Sequence, residues 1–221
     1  GDILNITLDE YRAHAEEMVR GFEDAAAFLE ERRILRPEDV PYPGQLVPLA
    51  VILTRLAEDP AALARQEAND RLNRWFWSGV FGKLYRAHAP TIRIGLDVSE
   101  VTPWVKGETH ELPRTVADSV FHESRLFTAT ADTGVYRGLF TLLMARGARD
   151  WRTGEPFNPD TVVQLQPSFH PVFPRPYLDV LGADAALAES VLNRTPMGQR
   201  TQMVLEANEP KRYLPRLQSK S

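Results

Sequence analysis

The stretch "LQPSFHPVFPRPYL", residues 165–178, decides how the C-terminal half is read. It holds one histidine, His170, among phenylalanines and the prolines Pro167, Pro171, Pro174 and Pro176. Proline fixes φ and donates no backbone hydrogen bond, so the stretch reads as short extended pieces joined by turns. Just before it, "TVVQLQ" (161–166) alternates like a half-buried strand, and "FHPVFP" (169–174) is a second extended piece. "DAALAESVLNRT" (184–195) and "MGQRTQMVLEA" (197–207) then read as short helices ahead of a basic tail. Strand, turn, strand and helix within about fifty residues is the order of a ββα unit.

Outward from this unit the chain reads as helical. Thr7 and Glu10 make a capping box, and Tyr11, Ala15, Met18, Phe22, Ala25 and Leu29 follow at helical spacing as one apolar stripe. Pro37, Pro41 and Pro43 prevent continuation. "QLVPLAVILTRLAEDP" (45–60) is apolar nearly all round, which predicts a short buried helix. Asp59-Pro60 caps and opens a long helix through "AALARQEANDRLNRWFWSGVFGKLY" (61–85), whose Trp75, Phe76, Trp77, Phe81 and Tyr85 are expected in the core. Residues 86–132 are less regular, with a short helix at "SEVTPWVKG". "TGVYRGLFTLLMARGARD" (133–150) predicts an amphipathic helix with Val135, Leu139, Leu142 and Leu143 inward and Gly147 as terminator. The expected class is mostly α (α+β): a helical region over 1–115 and a small ββα unit over 116–221.

Composition narrows the function. The 221 residues are 43% hydrophobic and 25% charged, ordinary for a globular protein of one large or two small domains. No run approaches the roughly 18 apolar residues of a membrane span, and "GDILNITLDEY" lacks the features of a signal peptide. A cytoplasmic protein without a membrane partner is expected, and the opening on Gly1 reads as a segment of something longer. With no cysteine there is no disulfide, thiol nucleophile or Cys-ligated zinc. His14, His88, His110, His122 and His170 show no HxH or HExxH spacing. No GxxxxGK[ST], GxGxxG or GxSxG is present. "NPDTVVQLQ" has Gln164 and Gln166 where a restriction-type metal site needs a carboxylate and a lysine.

The net charge of -4 provides no global field for nucleic acid, but charge is uneven. Residues 1–40 carry eleven acids against five arginines, while 191–221 carry Arg194, Arg200, Lys211, Arg212, Arg216 and Lys220 against Glu206 and Glu209. The basic end is either solvated surface or a footprint for phosphate. Arg146, Arg149 and Arg152 read as cap and surface charges near a helix end.

"GVYRGLFTLLMARGARDWRTGEPF", "FHPVFPRPYL", "SVLNRTPMGQRT" and "EPKRYLPRL", in this order, resemble the C-terminal part of the GmrSD-like (type IV restriction-like) proteins. "LNRWFWSGVFGKLY" and "LPRTVADSVFHESRLF" resemble their helical connector. The resemblance implies a bacterial, defence-associated protein whose C-terminal unit is an HNH-type (ββα-metal) nuclease fold, preceded by an N-terminal nucleotide-dependent domain as partner. In such proteins the first strand ends in Asp-x-His-His, an aliphatic residue, Phe and Pro, one histidine serving the metal and the next acting as general base. A bracing asparagine and a later metal-shell asparagine follow, with Mg²⁺ or Mn²⁺ as the cofactor. Carried over, Val172, Phe173 and Pro174 match the anchor, His170 the first histidine and Asn193 the brace. The departures are Ser168 at the acidic position, Pro171 at the general base, and Gln202 followed by Met203 where the family text has Asn-Arg. Losing the base alone forfeits on the order of 10²–10⁴ in rate.

The resemblance thus implies His170 and Asn193 as catalytic positions, His170 and Gln202 as metal positions, and Arg175, Arg194, Arg200 and Lys211 as candidate contacts to DNA. The altered motif favours a DNA-binding unit with weak or no catalysis, for which Mg²⁺ or Mn²⁺ is a cofactor only if it is active. A metal-dependent DNA endonuclease and a structural module docking on the N-terminal domain stand beside it. On the bland reading His170 is a hydrogen-bonded histidine at a strand end.

Overall fold

The computed structural model describes residues 5–63, 65–86, 91–131, 133–205 and 208–218. His88, Glu206 and Lys220 lie outside them. The chain forms two compact units, Gly1–Leu29 with Tyr42–Val120, and Glu30–Pro41 with Phe121–Ser221. Residues 30–41 therefore belong with the C-terminal unit, and the division beyond them falls after Val120.

The first unit is helical: α1 (Leu8–Glu31, its last two residues counted with the second unit), α2 (Leu46–Ala57), α3 (Pro60–Leu63), α4 (Gln66–Phe81), α5 (Thr91–Lys106) and α6 (Arg114–Ala117). The capping box forms, with Thr7 N–H donating to Glu10 Oε2 at 2.8 Å and Glu10 N–H to Thr7 Oγ1 at 3.2 Å. Leu49, Ala50, Ile52 and Leu56 of α2 are fully buried against a core that includes Trp75, Phe76, Val80 and Val101.

Two expectations in this unit are corrected. The helix over 61–85 is broken: Arg65 is extended (φ -78, ψ 130), α4 starts at Gln66, and after Phe81 a left-handed Lys83 (φ 57) ends the helical path. Tyr85 is buried beyond the helix, while Trp77 and Phe81 stack on each other only half-buried. The short helix at "SEVTPWVKG" is the second half of the longer α5, which holds Pro103 inside it. Burial of Asp97, Val101, Trp104 and Val105 carries that helix despite its β-branched residues.

The second unit comprises α7 (Arg125–Thr128), α8 (Gly134–Ala145), α9 (Pro159–Leu165), β1 (Ser168–Pro171), α10 (Arg175–Val180), α11 (Ala185–Glu189), β2 (Arg194–Met197), α12 (Gln199–Leu205) and α13 (Pro210–Gln218). The protein is mostly α, and among the described residues its sheet is the antiparallel pair β1–β2. α8 buries Val135, Gly138, Phe140, Thr141 and Met144, whereas Leu143 is exposed and Leu139 and Leu142 are half-buried. The expected stripe followed the leucines, but packing chose the face with the small residues Gly138 and Thr141. Against α8 lies the short 3₁₀ turn Pro37–Asp39, with Arg137 donating to Val40 O at 3.2 Å.

"TVVQLQ" is not a strand. Asn158 accepts from the N–H groups of Asp160 and Thr161, Thr161 returns the bond to Asn158 N–H, and Pro159 occupies the first turn, so α9 forms and a left-handed Gln166 (φ 43) closes it. Start and stop signals outweighed an alternating pattern whose Val163 is left exposed. The first strand is instead Ser168–Pro171. The expected helix 184–195 shortens to α11, and its end becomes a 3₁₀ turn (Val191–Asn193) and then β2.

Candidate functional site

Around "SFHP" the order is strand, two short helices, strand, helix. β1 and β2 pair with Ser168 opposite Met197, Phe169 opposite Pro196, His170 opposite Thr195 and Pro171 opposite Arg194. Side chains alternate across a strand, so Phe169 and His170 face opposite ways. Phe169 packs on α8, its ring 5.0 Å from that of Tyr136 and 5.7 Å from that of Phe140. The other face carries Ser168, His170, Thr195 and Met197. Met197 is fully buried there with Leu205 of α12 and with Tyr213 and Leu217 of α13.

On this second face the positions singled out in sequence meet. Gln202 Nε2 donates to Ser168 Oγ at 2.8 Å and to Met197 O at 2.6 Å. The residue at the metal-shell position and the one at the acidic position are therefore joined to each other. His170 is half-buried on the same side of β1 as Ser168. Pro171 is the residue after it and offers no proton acceptor.

Asn193 is a backbone clamp. Its Nδ2 donates to Phe173 O and to Ala188 O, both at 2.9 Å, and its Oδ1 accepts from Phe173 N–H at 2.9 Å. Val172 N–H donates to Asn193 O at 2.7 Å, and Tyr213 Oη donates to Val172 O at 3.0 Å. The segment after β1 is thus held by the turn before β2 and by α13, and all the polar atoms of the Asn193 side chain are used in doing so.

The four candidate DNA contacts separate into two pairs. Arg175 pairs with Asp179 at 2.6 Å and with Glu189 at 3.4 Å, and Arg194 pairs with the same Glu189 at 3.3 Å. Arg194 also donates to Phe169 O at 3.2 Å and lies over the Tyr136 ring at 5.7 Å. Both arginines are employed inside the unit. Arg200 and Lys211 are exposed and, among the described residues, make no ion pair.

One residue central to this region is not among those singled out in the sequence. Asp150 is 1% exposed, in the turn after α8. Its Oδ2 accepts from Gly198 N–H at 2.9 Å, and its Oδ1 accepts from Thr201 Oγ1 at 2.7 Å and from the N–H groups of Arg152 and Thr153. Burial pushes this carboxyl up, but these hydrogen bonds outweigh it and hold the carboxyl below its ordinary value. The only cue was an Asp just past a helix-terminating glycine, a usual place for a side chain that caps local N–H groups. Asp150, Arg152, Gln164, Arg200 and Thr201 line a cleft of about 310 Å³.

A hard divalent cation needs several oxygen ligands, carboxylates above all. Among the described residues no three His, Asp or Glu side chains converge on one point. Asp150 lies nearby, but its oxygens are taken by five donor groups. Gln202 spends its amide N–H groups on Ser168 Oγ and Met197 O. These residues do not fit Mg²⁺ or Mn²⁺. Among the described residues no helix is long and apolar enough to cross a membrane.

An uncharacterized protein of Methanocaldococcus jannaschii is 24% identical over 150 residues, 66% of this chain and 25% of that protein. The chain thus matches a quarter of the relative's length. No family model matches, and no solved structure matches.

Proposed function

We propose that this chain is part of a GmrSD-like, defence-associated bacterial protein whose β1–β2–α12 unit is a degenerate HNH-like domain that binds DNA without cutting it. The observation that carries the reading is the Gln202–Ser168 hydrogen bond. Where the resemblance implies a metal-shell amide and an acidic residue, the chain has an amide N–H bonded to a hydroxyl. The unit keeps the brace, Asn193, and the Phe173-Pro174 anchor that the brace holds. It lacks a proton acceptor at Pro171. Arg200 and Lys211 are the cations of the four left open to phosphate.

Anisotropy of a labelled duplex across a salt series, with EDTA or Mg²⁺, tests this. Binding is expected to weaken steeply with salt and to be indifferent to metal. Arg200→Glu and Lys211→Glu each weaken it, and each neutral Gln variant lowers the salt slope by about 1. Arg194→Glu acts differently, by breaking the Glu189 and Phe169 contacts, and lowers the melting temperature. Absence of binding at low salt sinks the DNA reading. Mn²⁺-dependent plasmid nicking that disappears in His170→Ala establishes the endonuclease instead.

A further inference from the structure

The stripe Leu8, Tyr11, Ala15, Met18, Phe22, Ala25 and Leu29 alternates three and four residues without interruption, the repeat that packs one helix along another. Its far end is covered by its own unit: Ala25 is 2% and Leu29 7% exposed, and the Phe28 ring meets that of Phe76 at 5.4 Å. Its near end is open, with Leu8 61%, Tyr11 64% and Phe22 45% exposed. Ile6, Tyr11, Ala15, Met18, Val19 and Phe22 line a groove of about 730 Å³. Scattered apolar residues on a surface are ordinary, but a contiguous stripe continuing a buried seam is what a partner helix covers.

Charge identifies the kind of partner. Over residues 5–24 stand Asp9, Glu10, Glu16, Glu17, Glu23 and Asp24 against Arg12 and Arg20. A second copy would set two acidic surfaces together, whereas a helix with basic edges completes both the seam and the charge. We propose that this groove receives an amphipathic helix of a partner, with large apolar residues at three-and-four spacing and lysine or arginine along its edges. This inference is independent of DNA binding.

The probe is a labelled synthetic helix of about six turns with a leucine seam and flanking lysines, beside a control peptide in which every lysine is glutamate. The lysine peptide is expected to bind saturably and to weaken as salt screens the acids. Tyr11→Ser and Phe22→Ser each weaken it about tenfold or more, as removal of a central anchor does. Both side chains are exposed, so thermal melting is expected to be unchanged. Val180→Ser, at a position 86% exposed in the second unit, leaves binding unchanged. Glu16→Gln with Glu23→Gln reduces the salt dependence. Equal binding of both peptides, no binding, or indifference to Tyr11→Ser and Phe22→Ser overturns the proposal. A concentration-dependent dimer that Phe22→Ser dissociates overturns it in favour of a second copy.

Discussion

Gly198 has no Cβ, and a Cβ there would sit 2.8 Å from Asp150 Oδ2 and 3.2 Å from Leu165 O. Gly198→Ala must therefore displace either the carboxylate or the end of α9, at about 1–3 kcal/mol, read by thermal or chemical denaturation. The pH dependence of the buried Asp150 and Asp97 is opposite in sign. Hydrogen bonds to its ionised form hold Asp150 below its ordinary pKa. Its stabilising contribution is present above the unfolded value of about 3.9 and lost as pH falls through the lower folded one. Asp150→Asn should flatten the acid limb of a stability–pH curve, and an unchanged limb would refute this role. Asp97 is fully buried in the first unit, where it accepts a hydrogen bond from the Tyr85 hydroxyl. Burial pushes its carboxyl up, so its contribution is fully present below the unfolded value and is lost as pH rises through the raised folded one. Asp97→Asn keeps an acceptor for Tyr85 and is expected to gain on the wild type as pH moves from acid to neutral.

At the scale of elements, the antiparallel pair is short and depends on what clamps it. Asn193 satisfies Phe173 N–H, Phe173 O and Ala188 O together. Asn193→Ala should cost about 2–3 kcal/mol through unsatisfied backbone groups, measured by denaturant midpoint. Asn193→Asp keeps the acceptor but loses the two donations, and should fall between. A loss of DNA binding in Asn193→Ala at temperatures where the variant is folded would give the residue a role beyond the clamp. The elements also show where local pattern misleads. Six alternating residues read as a strand at "TVVQLQ", yet Asn158 and Pro159 before them supply a complete helix start. Caps act through hydrogen bonds closed within four residues, and no strand partner competes for that segment. The leucines of α8 failed as a guide for a related reason. A helix buries the face its neighbours can approach closely, and Gly138 and Thr141 allow a closer approach than leucine.

Across the whole molecule, composition and periodicity were enough to place α1 with its capping box, the buried α2, α8, α12 and the mostly α class. Such features arise from short-range hydrogen bonds and from one-sided apolar spacing, both written in consecutive residues. Of the expected extended piece "FHPVFP", Phe169, His170 and Pro171 lie in β1, while the chain bends at Val172 and Phe173. The pairing of Ser168 with Gln202, of Arg175 and Arg194 with Glu189, and of Asp150 with Gly198 and Thr201 joins residues far apart in sequence or in separate elements. Nothing local distinguishes an arginine that meets Glu189 from one that meets only solvent. Arg194 and Arg200 look alike in the sequence; the strand places one over Tyr136, and the first turn of α12 leaves the other exposed. The same holds for α1, where one uninterrupted stripe is core at Leu29 and surface at Tyr11. The sequence by itself determined α1, α2 and α8 and the extended backbone at His170, since these depend on residue type and near neighbours. Only the tertiary structure decided which charges are spent inside the fold and which apolar residues remain uncovered, because those outcomes depend on contacts that chain order does not encode.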